Sequence, residues 1–420
     1  MEQRQHGEHS GSMRIMLLVT CLQLGGAEQQ VAALAREYVA LGHRVSVVSL
    51  LPGNEVTLPD GVETVMLSMR KTPQTLLAAL MRVRRFVLQW RPDVVHAHMI
   101  HANLFARMLT RVCPVPATIC TAHSVFQGGA LRMLAYRLTD RWSDLSTHVS
   151  AEGRQIMIES RAAPEQRIIV VPNGIDTAIY RPDMQTRSVA RAALGLHGDD
   201  RLILNVGRLV WEKAQTDLID AFAQLSPAPG TVLMIAGDGP LRDTLAQCIA
   251  GHGLDGRVRL LGRRQDVPSL LNAADLFVLS SQVEGMPLVV GEALACGCPV
   301  VATDASGVTP MVDGVGTVVP RGDPPALARA MGDALARGRG AAADEAARHR
   351  HIDSAFSIEA VARTWLRLYA DCSRTGAAFH LASPLPLRTD RDPAGSAGLR
   401  SAGRALRSTP NGCCGAGAVA

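Results

Sequence analysis

Short apolar runs alternate with longer stretches in which apolar residues recur every three or four positions. Met13–Thr20 (MRIMLLVT) is the first run; Leu24-Gly-Gly-Ala-Glu28 follows, then a helical pattern through Val31, Leu34, Ala35 and Tyr38. Strand, glycine loop and helix are the opening of a doubly wound sheet. Val45–Leu50, Val94–His96, Ala117–Thr121, Leu145–Val149 and Ile168–Val171 predict further strands, with a helix over Thr75–Trp90. After Asn173-Gly-Ile-Asp176 and a polar stretch around Pro182–Arg187 the pattern restarts. Strands are expected at Arg201–Val206, Val232–Ala236, Val258–Leu260, Leu276–Leu279, Val300–Ala302 and Thr317–Val319. Strands alternating with helices imply mostly parallel sheets. The expected architecture is α/β: two Rossmann-like, doubly wound domains over 13–180 and 181–374, joined near Asp176–Arg187 and facing across a cleft. A helix at Ile358–Tyr369 is expected to close the fold. Residues 1–12 and 375–420 are expected to be disordered tails, the second being rich in Gly, Ala, Pro, Ser and Arg.

Length agrees with two cores, because single ones rarely grow past about 250–300 residues. Hydrophobic residues make up 47% and charged ones 19%, so burying both cores is easy. No apolar run reaches the roughly 18 residues that span a bilayer, and the polar start MEQRQHGEHSGS has no apolar h-region. A cytoplasmic protein is expected. Of the nine cysteines only Cys296/Cys298 and Cys413/Cys414 lie close together, neither with paired C-x-x-C spacing, so idle or buried thiols are expected. The net charge is +5, but from residue 375 onward five Arg against two Asp supply +3 of it. With aromatics at only 4%, a nucleic-acid partner is not expected.

Glu284-Gly-Met-Pro-Leu-Val-Val-Gly-Glu292 puts two carboxylates eight residues apart across a loop that runs into a helix. Pro287 suits a first helical turn, so Glu284 is placed in the loop, Gly285 and Met286 offer backbone N–H groups, and Glu292 lies about a turn into the helix. A helix start attracts phosphate, and Leu288 and Val289 present free N–H groups there. Two carboxylates flanking that anion would hold hydroxyls on either side of it, the layout of a nucleotide sugar. The segment resembles the signature of family-4 retaining glycosyltransferases of the GT-B fold. That resemblance covers roughly Met13 to Tyr369, densest from Asn173 to Pro320, and implies an acceptor-binding N-terminal domain and a donor-binding C-terminal one. It implies that Glu284 contacts the donor sugar and that Glu292 holds the ribose.

Other elements extend the resemblance. Asn205-Val-Gly-Arg-Leu-Val-Trp-Glu-Lys213 is similar to the family's G-R-L…K-G element, which implies that Arg208 and Lys213 clamp the diphosphate. Ala214 stands where the family has Gly, tightening the backbone without loss of function. Those two cations would substitute for a metal ion, and the conspicuous Asp-x-Asp pair, Asp390-Arg-Asp392, lies in the expected tail. The expectation is therefore no metal and no cofactor, with a UDP- or GDP-linked sugar as co-substrate. Thr121-Ala-His-Ser124 sets His123 at a strand's carboxyl end, where family members carry a His that contacts the donor near the reacting carbon. Gly25 and Gly26 let a backbone approach phosphate or sugar closely, and the resemblance implies that they meet the donor when the domains close. Ala236-Gly-Asp-Gly-Pro240 is similar to the family's G-x-G-P turn; Gly237 and Gly239 would give space to the nucleotide and fix the turn, with Asp238 capping the next helix. Gly262-Arg-Arg264 is similarly placed, and backbone groups there, those of Arg263 included, would face the base. His96, His98 and His101 form an H-x-H-x-x-H cluster read as structural or acceptor-lining rather than metal-binding.

The expected activity is retaining transfer of a hexosyl group to a glycan or lipid-linked sugar hydroxyl, in surface polysaccharide or glycoconjugate assembly. Two alternatives stay open: a GT-B-shaped nucleotide-sugar epimerase and a non-catalytic sugar-binding subunit. Arg82, Arg84, Arg85 and Arg91 lie in or just beyond a helix with Val83, Phe86, Leu88 and Trp90. Such a helix either lies on the inner face of an anionic membrane or covers an ordinary core.

Overall fold

A computed structural model of the chain describes residues 11–375, apart from 24, 71, 126–128 and 227. The N-terminal lobe runs through β1 (Arg14–Val19), α1 (Gly26–Ala40), β2 (Arg44–Ser49), β3 (Glu63–Met66), α2 (Pro73–Trp90), β4 (Val94–His98) and α3 (Ile100–Leu109). It continues through β5 (Thr118–Ala122), α4 (Ala130–Thr139), β6 (Leu145–His148), α5 (Ala151–Glu159) and β7 (Ile168–Val170). The C-terminal lobe comprises α6 (Met184–Ala193), β8 (Arg201–Val206), α7 (Gln215–Leu225), β9 (Thr231–Ala236), α8 (Arg242–Gly251), β10 (Val258–Gly262), α9 (Val267–Ala273) and β11 (Leu276–Leu279). It ends with α10 (Leu288–Ala295), β12 (Val300–Thr303), α11 (Thr309–Val312), β13 (Thr317–Val319), α12 (Pro324–Arg337) and α13 (Ala342–Phe356), after which comes α14 (Ile358–Thr375).

All strand pairs are parallel, in the orders β3-β2-β1-β4-β5-β6-β7 and β10-β9-β8-β11-β12-β13. Central strands such as Ile15–Val19 and Leu276–Leu279 are buried along their length, as helices on both faces require. The expected strands are all present. β3 was not foreseen: ETVM is a short edge strand with half its residues exposed, so it lacks a buried strand's apolar signature.

The chain crosses between lobes twice, and the crossings lie side by side. Ile175 N–H donates to Phe356 O and accepts at its own carbonyl from Ile358 N–H, both at 2.8 Å. A Cβ on Gly174 would fall 2.6 Å from Ile358 Cα, so only glycine fits there. The second crossing corrects the expected 181–374 boundary. α14 does not pack in the C-terminal lobe; Ile358, Val361, Trp365, Leu368 and Tyr369 enter the core of the N-terminal sheet beside α1. Its apolar face matches that sheet's open side, which strand-and-helix alternation alone could not reveal. The expected tails lie outside the described residues except Gly11, Ser12 and Thr375, the last of which ends α14. Asp390 and Asp392 also lie outside.

Candidate functional site

Strand order reverses at β1/β4 in one sheet and at β8/β11 in the other, and ligands of such sheets bind beyond the carboxyl ends at those points. The loops leaving β1, β8 and β11 carry Gly25 and Gly26, Arg208 and Lys213, and Glu284. The structure brings the last two together: Lys213 Nζ lies 2.5 Å from Glu284 Oε1, which also accepts from Ser281 Oγ at 2.7 Å. Both charged side chains are largely sheltered, 18% and 10% exposed. The backbones around them are tied as well, since Ser280 Oγ donates to Lys213 O at 2.9 Å and Gln282 N–H to Glu212 O at 2.8 Å. Ala214 follows in a left-handed conformation, φ 45°, which explains why a glycine suits that place. Arg208 is exposed, with its carbonyl held by Gln215 Nε2 at 2.9 Å.

Glu284 precedes the direct contact between lobes. A Cβ on Gly285 would lie 1.9 Å from His123 O, so the loop after β11 rests on the backbone after β5. Met286 is buried there; its sulfur accepts from Asn173 N–H at 3.0 Å and its carbonyl from Asn173 Nδ2 at 3.4 Å. Pro287 is the N-cap of α10 rather than part of its first turn. Val290 N–H closes on Pro287 O at 3.2 Å, leaving those of Leu288 and Val289 without an intrahelical acceptor. Leu288 approaches Gly26 across the cleft, 3.7 Å from where a Cβ would stand.

His123 Nε2 lies 3.0 Å from His98 Nδ1, and its Nδ1 is buried without a protein partner among the described residues. Burial, and then the neighbouring His148, push its pKa down to about 3, so the ring is uncharged near neutrality. A neutral pair shares one proton across the His98 contact. His96 faces the other way, its Nδ1 2.6 Å from Tyr369 Oη and its Nε2 2.6 Å from Thr121 Oγ1. Among the described residues, the His/Cys/carboxylate group close enough to hold a metal ion is instead Asp220, Cys248 and His252, on α7 and around the end of α8.

Several of the residues expected at the donor have structural partners. A Cβ on Gly237 would meet Gly207 O at 1.9 Å, and one on Gly239 would meet Leu209 O at 2.5 Å, so these glycines press the β9 turn onto the Arg208 loop. Asp238 does not cap α8, whose N-cap is Leu241; its Oδ1 accepts from Gly239 N–H at 2.9 Å. The Arg263 guanidinium pairs at 2.5 Å with Glu55 of the opposite lobe. Glu292 is half-buried, with a carboxyl pKa pushed up to about 7 by burial and restrained by a hydrogen bond from Tyr180.

Sequence reasoning missed Glu28. It sits buried in the first turn of α1, its carboxyl raised by burial and held back by Cys21 and by Arg208 of the other lobe. The signal was available: an acid two residues past Gly26, facing inward on an apolar helix, opposite a loop arginine. Ser281 and Tyr180 carried no comparable signal.

Residues 24–179 match the family profile "Glycosyltransferase Family 4", and residues 186–350 match "Glycosyl transferases group 1". The chain is 28% identical over 243 residues to the UDP-Gal:alpha-D-GlcNAc-diphosphoundecaprenol alpha-1,3-galactosyltransferase of Escherichia coli, covering 55% of this chain and 62% of that one. It is 35% identical over 225 residues to the GDP-mannose-dependent alpha-(1-6)-phosphatidylinositol monomannoside mannosyltransferase of Mycolicibacterium smegmatis, covering 50% and 58%. It thus spans about three fifths of the length of these curated relatives. Anabaena Alr3699/HepE, solved in complex with UDP and glucose, superposes with a TM-score of 0.74 at 22% identity, over 86% of this chain and 100% of that one. That likeness shows the fold, GT-B.

Proposed function

The chain belongs to glycosyltransferase family 4, and from that premise we propose that it is a retaining transferase moving a hexosyl group from a UDP- or GDP-sugar to a glycan or lipid-linked hydroxyl. The observation that carries this reading is the Lys213–Glu284 pair at the strand-end cleft. An ammonium that can answer a leaving phosphate and a carboxylate that can answer sugar hydroxyls stand side by side at that cleft, 2.5 Å apart. The relatives named for UDP-galactose and GDP-mannose support both donor classes.

In the proposed reaction the bond from the sugar's anomeric carbon to the phosphate oxygen breaks, and the acceptor oxygen bonds that carbon on the same face. The acceptor's proton passes to the leaving phosphate. Lys213, Arg208 and the free N–H groups of Leu288 and Val289 stabilise the charge developing on the diphosphate. Glu284 and the uncharged His123 orient the sugar, and Glu292 holds the ribose. Two cations at the diphosphate make a metal ion unnecessary, so activity should persist in EDTA; strict metal dependence would contradict the cation clamp.

A thermal-shift screen against UDP-, GDP- and ADP-sugars tests the donor assignment. Stabilisation by one UDP- or GDP-sugar is expected; no shift with any member of the panel would refute it. NMR of the product's anomeric configuration then tests retention. The expected workplace, with a lipid-linked acceptor, is the inner face of the membrane.

A further inference from the structure

The C-terminal lobe carries three unlike metal ligands away from the cleft. Asp220 lies on α7, while Cys248 and His252 stand four positions apart at the end of α8 and so share one face of it. Their ligand atoms all lie within 4.8 Å of one another. Asp220 Oδ1 is 2.7 Å from His252 Nε2 and 3.9 Å from Cys248 Sγ. α7 and α8 pack together over Leu218, Phe222, Leu245 and Ile249, and Asp220 and Cys248 are half-buried beside that contact. His252 is the C-cap of α8; its backbone N–H donates to Cys248 O at 3.1 Å, which keeps the ring one turn beyond the thiol. The Asp220 and His252 side chains are each 39% exposed, so an ion can reach them from solvent.

A surface ion pair accounts for the imidazole and the carboxylate, but it does not require a thiol directed at the same carboxylate oxygen. Thiolate, imidazole and carboxylate together are a zinc donor set, with bonds of about 2.0–2.3 Å. Magnesium and calcium take oxygen ligands instead. At zinc bond lengths a tetrahedron separates its ligands by roughly 3.3–3.6 Å. The imidazole therefore has to open from the carboxylate and the sulfur to close on it, each by less than about 1 Å, and the exposed His252 ring leaves room for that movement.

We propose that Asp220, Cys248 and His252 form a zinc site that clips α7 to α8, apart from the transfer cleft. On binding, the Cys248 thiol gives its proton to solvent, and thiolate and carboxylate then balance the ion's two positive charges. Water takes the fourth position. The site is structural: α8 runs from the turn at Gly239 towards the amino end of β10, so Cys248 and His252 stand at the end of the lobe opposite the strand-end loops. The clip nevertheless joins the two helices that lead out of the Arg208–Lys213 loop and the Gly237–Gly239 turn. Asp217, one turn before Asp220 on α7, accepts from Gln282 Nε2 at 2.9 Å, so the clipped helix is also tied to the loop that carries Glu284. The zinc site does not depend on the transferase reading.

Titration of the reduced full chain with cobalt(II), a coloured stand-in for zinc, tests it. A thiolate-to-cobalt charge-transfer band that zinc displaces is expected from wild type and from Cys413→Ser/Cys414→Ser, and no such band from Cys248→Ser. His252→Gln alters an exposed side chain and should leave the fold intact. In competition with a chromogenic chelator it should weaken zinc binding by more than the roughly 10–100-fold that loss of an outer partner costs. Zinc should also raise the Tm of wild type by at least about 2 °C at about a hundredfold excess over Kd, and leave that of His252→Gln unmoved. No band from wild type, an equal band from Cys248→Ser, or its loss in the tail variant overturns the site. So does wild-type zinc affinity in His252→Gln. A chain that binds cobalt through Cys248 yet shows no shift with any nucleotide sugar would sink the transferase reading alone.

Discussion

Replacing Lys213 by Ala removes a charge that touches one partner, the Glu284 carboxylate at 2.5 Å, in a sheltered site. Two consequences differ in size and readout. Loss of a stabiliser of the leaving phosphate should lower kcat by about 10²–10³, or roughly 2.7–4 kcal/mol, with little change in KM. Loss of Glu284's cation leaves that carboxylate only the Ser281 hydroxyl and should cost roughly 1–3 kcal/mol of stability, visible as a lower Tm. A steady-state transfer assay beside thermal unfolding separates the two. A double-variant cycle with Glu284→Ala goes further. If Lys213 merely props up Glu284, each single variant slows transfer equally and the double variant adds nothing; separate roles at phosphate and sugar make the double variant slower than either. Wild-type turnover by Lys213→Ala would refute the leaving-group assignment outright.

Gly285→Ala places a Cβ where His123 O now stands, 1.9 Å away, and should lower kcat about 10²-fold while far-UV circular dichroism stays unchanged; an unaltered rate would show that the lobe contact is dispensable. The Glu292 carboxyl lies at about 7 against an ordinary 4.5, so wild type should lose stability as pH rises between those values, by at most roughly 3.4 kcal/mol. Glu292→Gln should abolish that fall, read as Tm at pH 5 and pH 8, and should weaken nucleotide affinity; parallel pH profiles would contradict it. Ala214→Gly relieves a left-handed alanine and should raise stability by roughly 0.5 kcal/mol, net of the freedom glycine adds to the unfolded chain; a lower Tm would count against strain there.

The two sheets were legible because every core strand is a parallel, doubly covered one and therefore a continuous apolar run. β3 and α14 escaped for opposite reasons. β3 is too short and exposed to leave a pattern, whereas α14 was legible as a helix but its allegiance depends on which apolar face lies open in three dimensions. At the site, charged residues in loops after strands could be placed from position alone, as with Lys213 and Glu284. Glycines could not be sorted in this way. Gly237 and Gly239 were expected both to fix a turn and to give space to the nucleotide, and the structure shows the first, with the backbone of Gly207 and Leu209 where a Cβ would stand. Arg263 was expected to face the base through its backbone, and no local pattern announced that its guanidinium pairs with Glu55, 208 positions away.

Two glycines at the lobe boundary share one property: the space beside them belongs to the other lobe. Gly26 faces Leu288, and Gly285 faces His123. Ser306 Oγ donates to Ser150 Oγ at 2.9 Å, and Glu55 meets Arg263, along the same boundary. The contact at Gly285 is the consequential one, because its two sides carry the two groups assigned to the sugar. Glu284 leads into Gly285, and His123 supplies the carbonyl on which Gly285 rests. Moving one lobe therefore moves Glu284 relative to His123 before it disturbs either residue's own hydrogen bonds. Lys213 stays with Glu284 in any such motion, since both belong to the C-terminal lobe and their backbones are joined through Ser280 and Gln282. On the proposed reading the cation clamp is thus a property of one lobe, and the orientation of the sugar a property of both.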